Sequence, residues 1–190
     1  MRTVKDVFAD RTCYKYTNKF VSADLLKEIY DIMKLGPTSA NGCPLRIIFI
    51  QTKDEKTKLL KCVMEGNVEK IKSAPVTALF AYDTKFYTKM DKTNPVSPEL
   101  KHYFASSDKI AIDTAARNST LQAAYFMIVA REAGLDCGPM SGFSAEAVEK
   151  EFLSGTDFKI NFICNLGYKD GENPYPRLPR LDFAEVCKII

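Results

Sequence analysis

Asp108-Lys-Ile-Ala-Ile-Asp-Thr-Ala-Ala-Arg-Asn-Ser-Thr-Leu-Gln-Ala-Ala-Tyr-Phe-Met-Ile-Val-Ala-Arg-Glu-Ala133 runs for 26 residues without Gly or Pro. It is rich in Ala, Leu, Ile and Met and carries little polar surface toward its end. The stretch predicts one long helix, central in the fold or set at a subunit interface. Gly134 stops it, and Gly134-Leu-Asp-Cys-Gly-Pro-Met-Ser-Gly-Phe143 reads as a glycine-proline loop. Upstream, Ser22 caps a helix with Leu25, Leu26, Ile29, Tyr30, Ile32 and Met33 on its apolar stripe and Gly36 as its stop. Leu45–Gln51 and Pro75–Tyr82 are short apolar runs, each read as a strand, and Phe158–Leu166 alternates as a third. Asp54–Glu65 has helical spacing and ends at Gly66-Asn67, Asp91–Pro98 is a loop, and Ser144 caps a short helix. Gly171–Arg180 is punctuated by proline and extended. Helices interleaved with strands that do not repeat as βαβ units favour an α+β class.

Composition narrows the function. The chain has 190 residues, 46% of them hydrophobic, which suits one domain with a full core. A net charge of +3 is too small an excess to argue for nucleic acid or a membrane surface as partner. The longest apolar run, Ala123–Ala130, falls far short of the roughly 18 residues a spanning helix needs. The opening Met-Arg-Thr-Val-Lys-Asp has no apolar stretch to act as a leader, so a soluble cytoplasmic protein is expected. Six cysteines lie scattered without a C-x-x-C pair, and His102 is the only histidine. Reduced thiols and no structural metal follow as expectations. A histidine-dependent nucleophile would have to use His102, which sits in an ordinary polar helical stretch.

Five local clusters carry possible chemistry, each with an ordinary alternative. Arg11-Thr12-Cys13-Tyr14-Lys15 would suit a phosphate, or be a solvated turn. Gly36-Pro37-Thr38-Ser39-Ala40-Asn41-Gly42-Cys43-Pro44 offers short donors and acceptors to a ring edge or polyol, or satisfies its own backbone. Asn67 and Lys70 share one face of a helical turn, a commonplace pairing. Gly134, Gly138 and Gly142 around Pro139 allow close approach to a flat ligand, or form a mere connection. They do not spell G-x-G-x-x-G, and no strand precedes them as a dinucleotide fold requires. Arg177 and Arg180, in a proline-stiffened tail, could reach an anion or be a solvated basic end. Taken together the clusters describe a site for a planar ring, a polyol and a phosphate, which is FMN.

Pro37-Thr-Ser-Ala-Asn41, Gly66-Asn67, Lys70, Ala74-Pro75-Val76, Arg117-Asn-Ser-Thr-Leu-Gln122, Gly134–Phe143, Asn165-Leu-Gly167 and Arg177-Leu-Pro-Arg-Leu181 occur in this order. The sequence thereby resembles the flavin-dependent nitroreductase family, and within it the malonic semialdehyde reductase (3-hydroxypropanoate dehydrogenase) branch. The resemblance implies a central, mainly antiparallel sheet flanked by helices, an extended C-terminal arm, and a homodimer with FMN at the subunit interface. By position it assigns Arg11, Thr12, Cys13 and Lys15, with Arg177 and Arg180, to the phosphate. Pro37, Thr38, Ser39, Asn41, Asn67, Lys70 and Asn118 become flavin contacts, and Pro139, Met140, Ser141 and Gly142 lie against the ring. Cys13 stands where broader relatives often have serine, and Cys43 and Leu45 where many have Gln and Trp. Ser141 replaces a glutamate, leaving its backbone N–H as the donor. The implied activity is ping-pong hydride transfer from transient NAD(P)H to a small carbonyl such as malonic semialdehyde. Broad reduction of nitroaromatics, quinones or enones, and flavin binding without catalysis, are the alternatives.

Overall fold

Val76–Asp83 (β2) and Phe158–Gly167 (β4) are the inner strands of a four-stranded sheet, and each sends apolar side chains to the cores on both faces. Leu45–Ile50 (β1) pairs with β2 and Asp136–Met140 (β3) with β4, every pair antiparallel, in the order β1-β2-β4-β3. The computed structural model describes residues 2–190. Opposite faces of the sheet alternate residue by residue, so each face builds its own core. Phe80, Ala78, Cys164 and Leu166 meet Ile29 and Met33 of Ala23–Met33 (α2) and Phe126 of the long helix Asp108–Glu132. Phe80 and Phe126 pack edge to face, with ring centroids 5.4 Å apart. Leu79, Ala81 and Ile163 meet Leu59 of Lys53–Leu60, Ile71 of Glu65–Ser73 and Val148 of Ala145–Phe152 on the other side. Residues 86–105 make a helical excursion over a small third core of Phe86, Met90 and Phe104.

The long helix, the Ser22 and Ser144 caps and the three expected strands are present, the last two strands each one residue longer at their C-terminal end. Three expectations need correction. Gly134–Phe143 is not a loop throughout: its centre is the edge strand β3. Proline fits there because successive residues of a strand turn their polar groups to opposite sides. Cys137 turns its carbonyl outward to the Cys13 N–H at 2.9 Å, so Pro139 also faces outward, where no ladder bond is lost. Gly66-Asn67 does not end a helix; both sit in the first turn of Glu65–Ser73. The break falls at residues 61–64, where Val63 bridges to Phe143 and the Met64 N–H donates to the Gly142 carbonyl at 2.9 Å. Asp91–Pro98 is only partly a loop, since residues 90–93 are helical and Pro98 opens Pro98–Ala105 as its first residue. That last helix holds His102 on an exposed position.

Among the described residues no helix is long and apolar enough to cross a membrane, and no group of three or more His, Cys, Asp or Glu could hold a metal. All six cysteines are unpaired.

Candidate functional site

The outer edge of β3 is covered by the segment that carries Arg11–Lys15. Cys13 bonds to Cys137, the Thr17 N–H donates to the Tyr168 carbonyl at 2.8 Å, and Tyr16 bridges to Lys169. Side chains along an extended segment alternate, so Cys13 turns inward while its neighbours face out. The Cys13 thiol is 3% exposed, donates to the Lys15 carbonyl at 3.1 Å, and is pushed up in pKa by burial. It is a neutral packing group that serves the segment through its backbone. Gly138 beneath it has no room for a side chain: a Cβ would stand 2.4 Å from the Tyr16 hydroxyl.

Arg11 and Thr12 open onto a cavity of about 490 Å³. Arg177 and Arg180 from the C-terminal arm line it as well, and so does Arg131 from the last turn of the long helix. Four guanidinium groups therefore converge there, with Asp10 as the only carboxylate in the wall. Arg11 donates to the Tyr175 carbonyl and, at 2.9 Å, to that of Pro176, which ties the arm down. Arg177 donates to the Ala9 carbonyl at 2.7 Å, at the C-terminal end of the helix Val4–Ala9, where the helix dipole favours a cation. Arg180 donates to the Leu178 and Pro179 carbonyls, both at 3.0 Å. Nε of Arg131 is buried without a partner. Lys15 lies just outside, paired with Asp170 at 2.6 Å.

At the far end of β3 the chain turns through Ser141 and Gly142. The Asn67 side-chain amide donates to the Gly142 carbonyl at 3.0 Å, and Lys70 donates to Asn67 Oδ1 at 3.0 Å. Lys70 also sits 5.1 Å from the centre of the Tyr14 ring, joining this end to the Arg11 segment. A Cβ on Gly142 would come within 2.6 Å of Asn67 Nδ2. The Ser141 N–H makes no main-chain hydrogen bond among the described residues. Arg11, Thr12, Lys15, Asn67, Lys70, Pro139, Met140, Ser141, Gly142, Arg177 and Arg180 thus lie along one edge of the molecule.

Pro37, Thr38, Ser39, Asn41 and Asn118 lie at the other. They form a turn entering β1 in which Ala40, Asn41 and Cys43 all take left-handed φ, at 52°, 51° and 45°. Non-glycine residues hold that conformation only where their surroundings enforce it. Tyr125 donates to the Pro37 carbonyl at 3.2 Å, Thr38 Oγ1 accepts from the Cys43 N–H at 3.3 Å, and Asn41 donates to the Thr93 carbonyl at 2.6 Å. Asn118, 1% exposed, accepts the Ser39 N–H at 2.8 Å and donates to the Thr114 carbonyl at 2.8 Å. Its side chain ties the turn to the long helix.

Sequence reasoning missed Arg131. A basic residue in the last turn of a helix is what the dipole favours anyway, so nothing marked this one. It also missed Gln122, which accepts the Leu45 N–H at 3.0 Å and starts β1 from inside the long helix.

The structure thus pairs an α+β sheet with an arginine-lined cavity on one edge and a strained polar turn on the other. The sequence matches the nitroreductase family over residues 9–168, and the chain belongs to that family. A protein of Polynucleobacter asymbioticus named "Putative NADH dehydrogenase/NAD(P)H nitroreductase" is 46% identical over 180 residues, covering 95% of this chain and 91% of its own. Among solved structures, one of Exiguobacterium sibiricum described as "a putative nitroreductase in complex with FMN" superposes with a TM-score of 0.86 at 17% identity, over 99% of this chain and 97% of its own. The enone reductase CLA-ER of a gut-bacterial fatty acid saturation metabolism gives 0.83 at 16% identity, over 100% and 98%. At these identities the structural likeness concerns the fold.

Proposed function

We propose that the chain is an FMN-dependent NAD(P)H oxidoreductase that works as a cytoplasmic homodimer and reduces a small carbonyl such as malonic semialdehyde. The observation that carries this reading is the cavity lined by Arg11, Arg131, Arg177 and Arg180, on the edge that ends in the Ser141–Gly142 turn. A phosphate suits the arginines that line the cavity. Family membership and the NAD(P)H nitroreductase name of the Polynucleobacter relative support the redox reading.

Bound FMN supplies the hydride chemistry. The arginines neutralise its phosphate, and the Ser141 N–H is the donor this chain offers to the ring's reactive nitrogen. Lys70, positioned by Asn67, offers positive charge to a ring that gains electrons. The polar turn at Pro37–Asn41 lies on the opposite sheet edge and meets no residue of the first group, so a second copy of the chain is what would bring both halves to one ligand. With no separate dinucleotide motif, nicotinamide donor and oxidant take turns at one surface, which gives ping-pong kinetics.

Anaerobic mixing of the FMN-loaded protein with NADH and with NADPH tests the reading directly. The yellow colour should bleach with at least one and return on adding malonic semialdehyde. No bleaching with either donor refutes the enzyme. The CLA-ER likeness and the nitroreductase name of the relative favour, as a second reading, reoxidation by enones, quinones or nitroaromatics. Relative reoxidation rates across that panel separate the two.

A further inference from the structure

The β1 edge holds a cavity of its own, of about 520 Å³, between α2, the strained turn and the 89–93 segment. Lys34, Arg46, Lys89 and Lys92 line it, and no carboxylate does. Lys34 and Arg46 already have carboxylates, Asp31 and Asp83, each at 2.6 Å. Lys89 and Lys92 have none among the described residues. The wall also contains Gln122, which is 5% exposed. Its Oε1 is committed to the Leu45 N–H, so its Nε2 is held in a fixed direction away from the strand end. That nitrogen donates to no acceptor among the described residues, and it is not sealed from the cavity as the Asn165 amide nitrogen is from solvent.

A donor with no protein acceptor, on the wall of a cavity whose charged groups are all cations, suits a ligand that is both acceptor and anion. We propose that this cavity is a second anion site, distinct within one chain from the four-arginine cavity and adjoining the strained turn, which binds a small oxyanion group of a ligand. Gln122 supplies the fixed hydrogen bond, while Lys89 and Lys92 supply the field. Because both lysines are exposed, affinity falls as salt is raised. Two sources share this chemistry: the carboxylate of a 3-oxo acid that the protein reduces, and a phosphate of the nicotinamide donor. The choice between them rests on the redox reading above; the existence of the site does not.

Calorimetric titration with malonate and with inorganic phosphate, on the FMN-loaded protein and on Arg11→Ala, tests the site. Binding should persist in Arg11→Ala and weaken on the order of tenfold or more in Lys89→Ala/Lys92→Ala and in Gln122→Glu. Gln122→Glu keeps an oxygen for the Leu45 N–H but replaces the donor with a negative acceptor, and its melting temperature checks that it folds. If it does not fold, the double lysine variant decides alone. Unchanged affinity in the double variant, or binding abolished by Arg11→Ala, overturns the proposal. In turnover, a higher KM of the double variant for a 3-oxo acid but not for a neutral aldehyde assigns the substrate carboxylate. A higher KM for NADPH but not for NADH assigns the donor's phosphate. Lost titration with neither change leaves the site with a free anion as its ligand.

Discussion

Replacing Arg131 by methionine should weaken FMN binding while leaving the cofactor-free protein as stable as before, or more so. Methionine keeps the length of the apolar stem and removes only the guanidinium. In the free protein Nε of Arg131 is buried without a hydrogen-bond partner, and an unsatisfied buried polar group costs about 1–3 kcal/mol. Its removal therefore cannot lower stability through a lost bond at that atom. For a chain of this size, relief of 1 kcal/mol would raise the melting temperature by about 2–4 °C. Nε stays sealed, but the terminal nitrogens of Arg131 have no protein partner among the described residues and are the ones a phosphate in the cavity would meet. A hydrogen bond to a charged group is worth about 1.5–3 kcal/mol, which is roughly a 10- to 150-fold loss in affinity. Quenching of flavin fluorescence on titration with cofactor-free protein measures the loss. Riboflavin, which lacks the phosphate, is the control and should bind both proteins equally. Equal FMN affinity in the two proteins, or a loss shared by riboflavin, would remove Arg131 from the phosphate cavity.

Gly142→Ala would place a Cβ 2.6 Å from Asn67 Nδ2, displacing the side chain that positions Lys70; flavin retention after gel filtration should drop with the fold kept by circular dichroism. Asn118→Leu strands the buried Ser39 N–H and Thr114 carbonyl, so a loss of about 1–3 kcal/mol in urea unfolding is expected, together with a mobile Pro37–Asn41 turn seen by hydrogen exchange. Cys13, Cys62, Cys164 and Tyr16 are all pushed up in pKa, chiefly by burial. The unfolded chain then releases these protons first, so stability holds below pH 9 and falls as pH rises past the ordinary thiol value of 9.0; melting curves from pH 7 to 10.5 check the sign.

The secondary structure was legible wherever periodicity and caps agreed. Ser22 and Ser144 each accept a backbone N–H three residues on, and the long helix begins and ends within a residue of where its lack of Gly and Pro places it. It was illegible where tertiary partners decide. Strand β3 contains a glycine and a proline and has poor strand propensity, yet pairing with β4 and with Cys13 makes it one. The restart of helix at Glu65 is set by bonds from residues 63 and 64 to the 142–143 turn, residues almost eighty positions away. The tertiary bonds of the named residues were not legible: Asn118 reads as a polar group near a ligand, and the structure adds that its amide bonds Ser39 and Thr114.

Sheet register explains why the named residues separate into two groups. Met140, at the end of β3, is level with Ile163, Leu79 and Ile48 across the sheet, whereas the strained turn enters β1 at Leu45, level with Tyr82 and Lys159. The groups therefore differ in height as well as lying at opposite edges, three strand spacings or roughly 14 Å apart. The whole sheet and both cores stand between them, so no rotamer change or loop movement within one chain can unite them. Cations and an open turn on one edge, and a turn held in strained φ by Asn118 and Thr93 on the other, are complementary halves on one chain. In the proposed homodimer, two copies related by a two-fold axis would set each edge against its complement twice, and so form two equivalent sites from one sequence.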